Sequence, residues 1–155
     1  MKTMNTATAL LVSVMTFVLL MVGSAQAGPS CHKIDATGVG QDQGGGITTA
    51  QISDGGLLQG TTGAAFAVIG FTPPSTFLIA GSVTFTTNRA TLEVPGMGTF
   101  DVSTGQFTFA SAAAPTGTGK LAGATATLLL DGVENLATGS FVETIEGVVC
   151  VDAAP

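Results

Sequence analysis

The 155-residue chain contains no tryptophan and no tyrosine, one histidine, two cysteines, and charged side chains at only 9% of its positions. Each scarcity removes a class of function. A single imidazole, His32, cannot build a histidine-based metal cluster within one chain, and no metal or other cofactor is expected. A Ser-His-Asp triad would have to use this residue at the start of the domain, and no Gly-x-Ser-x-Gly elbow accompanies it. Without Tyr and Trp the chain lacks the aromatic girdles of an outer-membrane barrel. Cations are equally rare: after residue 27 only Lys33, Arg89 and Lys120 stand against ten Asp and Glu. Phosphate backbones and anionic bilayers repel such a surface, so neither nucleic acid nor stable membrane insertion of the mature chain is expected. The glycines of Gly38-Val39-Gly40 and Gly44-Gly45-Gly46 are not followed by a helical pattern, which excludes a phosphate-cradling loop.

What is present begins with an address. The opening MKTMNTATALLVSVMTFVLLMVGSAQA has one early cation, Lys2, an apolar run from Ala9 to Val22, and small residues at Ala25 and Ala27. This is the pattern of a secretory signal peptide cleaved after Ala27. The apolar run is shorter than the roughly 20 residues that cross a bilayer. A lipid anchor on Cys31 is the lesser reading, because Gly28-Pro29-Ser30 separates that cysteine from the apolar run. The expected product is one domain, residues 28–155, in the periplasm or outside the cell. There the two cysteines, Cys31 and Cys150, should form a disulfide. A bridge brings their Cα atoms within about 7 Å, so the ends of the domain must meet. Closing so long a loop stabilises by roughly 4 to 5 kcal/mol on the chain-entropy account. Paired cysteines are neither nucleophiles nor metal ligands.

The remainder reads as all-β. In TFLIAGSVTFT, residues 76–86, Phe77, Ile79, Val83 and Phe85 share one face with Gly81, and Leu78, Ala80, Ser82, Thr84 and Thr86 share the other. Turn signals at Gly44-Gly45-Gly46, Pro73-Pro74, Thr87-Asn88, Pro95-Gly96 and the loop Ala112 to Gly119 divide the chain into about eight or nine strands. With its first and last strands tied together, such a sheet is most simply a closed antiparallel β-barrel; a two-sheet β-sandwich is the alternative.

Two echoes punctuate these strands. DVSTGQF (101–107) returns as NLATGSF (135–141), a turn-forming Asx followed by a glycine and an apolar strand residue, which predicts a hairpin with a bulged glycine in each case. GLLQGTT (56–62) returns as GKLAGAT (119–125), glycines spaced by four at the entrance to an Ala/Thr-rich strand. Both echoes read as folding devices. The second copy, Gly119 to Thr125, running into a long strand, a hairpin and a terminal strand Phe141 to Cys150, resembles the closing half of small exported β-barrels of the allene oxide cyclase and dirigent type. The resemblance covers about the last third of the chain, with Ala126 where a further glycine is usual. It implies an apolar interior that holds a small organic molecule and, in some members, a homo-oligomer; it transfers no catalytic residue.

Among polar side chains, Glu143 and Glu146 on the last strand are the candidates for acid/base work. Glu143 shares a face with Phe141 and Ile145; Glu146 shares the other with Val142, Thr144 and Val148. Strict alternation points one of them into the barrel, where burial would raise its pKa; a bulge near Gly147 or a polar mouth would leave both in water. Asp131, Glu134 and Asn135 share a turn but match no calcium loop. Of the phenylalanines that fill the interior, Phe77, Phe85, Phe107, Phe109 and Phe141 are the candidates to line a cavity for an apolar ligand. The leading expectation is a non-enzymatic binder of a small apolar molecule or an envelope scaffold. The alternatives are a cofactor-free isomerase or cyclase and a structural or adhesive secreted protein.

Overall fold

A computed structural model describes residues 28–152; the expected signal peptide, 1–27, lies outside them. The alternating segments become β1 (Ser30–Gly44), β2 (Ile47–Ser53), β3 (Gly60–Thr72), β4 (Thr76–Thr86), β5 (Thr91–Asp101), β6 (Gln106–Ser111), β7 (Thr116–Gly117), β8 (Thr125–Glu134) and β9 (Ser140–Val151). All pairings are antiparallel. The order is β4-β3-β2-β1-β9-β8-β6-β5, and β4 then pairs with β5 to close the ring, with the two-residue β7 added beside β5. The closing ladder runs without a break from Thr76↔Asp101 to Thr86↔Thr91. That ladder excludes the sandwich, because it leaves neither strand as a free edge.

The wall alternates as the sequence predicts. Along β4, Phe77, Ile79, Val83 and Phe85 turn inward, and a Cβ at Gly81 would collide with the backbone carbonyl of Ala65 on β3. Close strand approach at that point needs a glycine. One end of the barrel is packed solid by Ile34, Ile52, Phe85, Leu92, Ile145 and Val149, all essentially sealed from water. The disulfide sits at this end: Cys31 and Cys150 are direct cross-strand partners with Cα atoms 3.9 Å apart.

The repeated Gly-x-Leu-x-Gly skeleton is what plugs this end. Each copy forms a short 3-10 helix, Gly56–Leu58 and Gly119–Leu121. Its opening glycine takes φ of 54° or 55°, a left-handed conformation that L side chains resist. Each helix turns one leucine into the barrel, Leu58 at 0% and Leu121 at 1% exposure. The spacing serves a side chain that must point inward from outside the ladder, so neither copy is a ligand loop.

Two turn expectations need correction. Pro95-Gly96 does not reverse the chain; both residues lie inside β5. The carbonyl of Pro95 accepts from the Ala112 N–H, just past Ser111 where β6 ends, so the proline's missing donor falls where the neighbouring ladder has run out. Nor is there a bulge at Gly147: it pairs with Ile34 on one side and Leu128 on the other in unbroken register.

Truncating either plug should open a cavity that the rigid wall cannot collapse onto. Leu58→Ala and Leu121→Ala are each expected to cost about 2 to 5 kcal/mol in urea denaturation, whereas the exposed Leu136→Ala should cost less than about 0.5 kcal/mol.

Candidate functional site

The opposite end of the barrel is not filled. The hairpins β1–β2, β3–β4, β5–β6 and β8–β9 surround its mouth, and two of them are the echoed sequences. In the first, Asp101 Oδ1 accepts from the Ser103 and Thr104 N–H groups at 2.8 and 3.2 Å; in the second, Asn135 Oδ1 accepts from the Ala137 N–H at 3.0 Å. Gly105 and Gly139, at φ 73° and 72°, then donate back to the carbonyls of Asp101 and Asn135 at 2.8 and 2.7 Å. Each turn delivers a phenylalanine two residues later, Phe107 and Phe141, which meet edge to face at 5.7 Å between ring centroids.

Below this pair lies a cavity of about 230 Å³. Its apolar wall carries Phe66, Phe77, Phe100, Phe107, Phe109 and Phe141, together with Ala64, Ile79, Val83 and Leu130. The space exists because small residues face large ones across the strands. Ring atoms of Phe141 occupy the place of a Cβ at Gly40, and those of Phe107 the place of a Cβ at Gly132.

Glu143 reaches the same cavity. Its cross-strand partners are both glycines, Gly38 on β1 and Gly132 on β8. A Cβ at Gly38 would lie 2.6 Å from Glu143 Oε1 and 2.7 Å from its Cγ, so this strand pairing has room for the acid only while position 38 is bare. The residue is 6% exposed, and no described side chain or N–H donates to its carboxyl group. Among the described residues, no completely sealed side-chain oxygen or nitrogen lacks a partner. The Glu143 oxygens therefore open onto the cavity. Removal from water raises its pKa from 4.5 to about 7. Thr62, the other buried polar residue of the described chain, lines the cavity as well.

Two further carboxylates stand at the rim, Asp42 at the end of β1 and Glu134 at the end of β8. Partial burial, and secondly the charge of Asp42, push the Glu134 pKa upward. Among the described residues, no Lys, Arg or His lines the cavity.

Comparison with protein-family models, curated proteins and solved structures returns no match.

Of the residues singled out in the sequence, Phe77, Phe107, Phe109, Phe141 and Glu143 converge on this cavity. Phe85 does not: fully buried, it belongs to the packed end. Glu146 lies on the barrel exterior, exposed and paired with Asp35 and Leu129. The sequence pattern did not mark Phe66 and Phe100 as lining residues, placed Glu134 only in a turn with Asp131 and Asn135, and gave no sign of Asp42 or Thr62. A signal for the glycines and the acid was present. Pairing Cys31 with Cys150 in antiparallel strands places Gly38 opposite Glu143 and Gly40 opposite Phe141 by counting inward from the bridge. Such an arrangement can hold an apolar molecule, supply a proton, or accept a positively charged group.

The raised pKa makes stability depend on pH with a definite sign. Below 4.5 Glu143 is neutral in both folded and unfolded chains; between 4.5 and about 7 only the unfolded chain ionises, so stability falls as pH rises through this window and levels off above it. Denaturant titrations at pH 4.5 and pH 8 should show wild type losing roughly 3 kcal/mol more than Glu143→Gln over that span.

Proposed function

We propose that the protein is an exported, non-enzymatic binder of a small apolar molecule, held in the open end of the barrel. The observation that carries this reading is the cavity itself: one end of the interior is sealed by two dedicated leucine plugs and the other is left hollow. Its volume exceeds the ~150 Å³ of an engineered apolar cavity that takes up benzene, so a substituted single ring or a branched chain of similar bulk fits. Export is supported by the disulfide and by the signal-peptide pattern of residues 1–27; among the described residues no helix is long and apolar enough to cross a membrane. The resemblance of the closing strands to allene oxide cyclase and dirigent-type barrels supports the same reading, since an apolar interior is what it implies.

A second reading is favoured by one specific observation. A carboxyl group whose pKa lies near 7 inside a cavity is poised to give and take a proton, as a cofactor-free isomerase or cyclase requires. Binder and enzyme differ in what leaves the barrel, and binding without chemistry returns the ligand unchanged.

Native mass spectrometry of the oxidised, exported protein, with toluene as added probe, tests the proposal. One toluene per barrel is expected, with uptake lowered at least tenfold in Val68→Trp, which puts a bulky ring at an exposed position of the cavity lining. Failure of wild type to take up toluene, or equal uptake by the blocked variant, would remove the cavity as the binding site. Recovery of a chemically altered endogenous ligand, with alteration abolished in Glu143→Gln, would establish the enzyme in place of the binder.

A further inference from the structure

The signs of the charges around the cavity carry the binding reading further. An apolar pocket for a neutral molecule needs few polar groups, and one for a fatty or aromatic acid needs a cation or a fan of donors. This cavity has neither. It presents Glu143 at its wall and Asp42 and Glu134 at its rim, and among the described residues no basic side chain lines it. The Lys and Arg of the described residues lie at the other end: Lys33 beside the disulfide, paired on the exterior with Asp35, Arg89 in the β4–β5 turn, and Lys120 in the second plug. A molecule approaching the mouth therefore meets a field of one sign.

Glu143 supplies the independent observation. It is 94% withdrawn from solvent, with no hydrogen-bond donor among the described residues, and its oxygens face the cavity space. A buried carboxylate without a partner is costly, and while the cavity is empty of charge the group keeps its proton up to about pH 7, well above the ordinary carboxylate range. An incoming cation reverses this: it removes the need for the proton and turns an unfavourable burial into a close ion pair. The walls suit the same ligand, because phenylalanine faces attract alkylammonium groups within about 6 Å of the ring centroid. Phe66, Phe107, Phe109 and Phe141 are grouped in pairs on this wall, with centroids 5.4 and 5.7 Å apart.

We propose that the molecule held in the barrel is an organic cation, an amine or quaternary ammonium carried on a small apolar body, with its charged head at Glu143 and the rim acids Asp42 and Glu134 guiding its approach. This rests on the binding reading above and specifies its ligand class. Of the strands around Glu143, β1 contributes Asp42 and β8 contributes Glu134; the cavity-facing residues of β2, β3, β4, β5 and β6 carry no titratable group.

The test is isothermal titration with three probes of similar shape: benzyltrimethylammonium, its uncharged carbon isostere neopentylbenzene, and phenylacetate. At pH 8 the ammonium should bind at least tenfold more tightly than the neutral isostere, and phenylacetate should not bind. Its affinity should fall about tenfold between pH 8 and pH 5.5 as Glu143 takes up its proton, because a quaternary ammonium has no proton of its own to lose. Glu143→Gln should abolish both the preference and the pH dependence while still binding the neutral isostere, which shows the variant folded. Glu134→Gln, at the rim, should weaken the ammonium by only a few-fold. Neutral binding equal to or tighter than ammonium binding in wild type would overturn the cation proposal and leave the apolar binder standing. Ammonium binding unchanged in Glu143→Gln would also overturn it. Absence of binding by every probe overturns it too, and the toluene measurement then decides separately whether the cavity binds anything.

Discussion

The pairing of β1 with β9 is the constraint from which both ends of the molecule follow. At one end it aligns Cys31 with Cys150 and makes the bridge a direct cross-strand link. Counted inward from the bridge, the same register sets Gly38 against Glu143 and Gly40 against Phe141. Two bare positions on one strand thus receive the acid and the ring of the other, and Gly132 on β8, the acid's second cross-strand partner, leaves its space to the ring of Phe107. A one-residue slip would turn Glu143 to solvent and Glu146 inward, reversing the inside and outside of the whole strand. A covalent tie near the end of the ladder guards against that slip.

Stability and function are divided along the barrel axis. The closed end has the bridge, the two leucine plugs and a core of Ile, Leu, Val and Phe with almost no exposed area. The open end keeps a void and a buried carboxyl group, both of which cost stability. Asp101 and Glu143, at the same end, show how environment separates two carboxyl groups. Asp101 lies in a hairpin turn, and hydrogen bonds from the Ser103 hydroxyl and N–H hold its pKa down to about 2. Glu143 has no donor and an apolar surround, and rises to about 7. The first is a turn-stabilising anion; the second is a group whose charge state responds to whatever enters the barrel.

Much of this was legible because strand faces alternate and the disulfide fixes their phase. The closed barrel, the inward set on β4 and the echoed Asx-glycine hairpins can all be read from residue order. Which glutamate on β9 turns inward was legible in principle, once Gly147 is allowed to sit in register without a bulge. Pro95 misled, because a proline inside a strand looks like a turn until the neighbouring strand is known to stop at Ser111. The inward leucine of each Gly-x-Leu-x-Gly copy was hidden for a related reason: a 3-10 helix of three residues has no periodicity to detect. Phe85 and Phe77 occupy the same face of the same strand, and only the position of the plugs decides that one is core and the other cavity wall. Asp42 and Glu134 joined the site because β1 and β8 both pair with β9, which places the ends of the two strands on either side of its start at one mouth.

Ligand choice and pH response both turn on one buried acid without a partner among the described residues, and the most direct measurement is the carboxyl carbon-13 titration of Glu143 in the ligand-free protein, assigned by comparison with Glu143→Gln. An inflection near pH 7 is the predicted result. An inflection near 4.5, the ordinary value for a glutamate, would mean that water reaches the group freely and that its charge is not poised to respond to a guest.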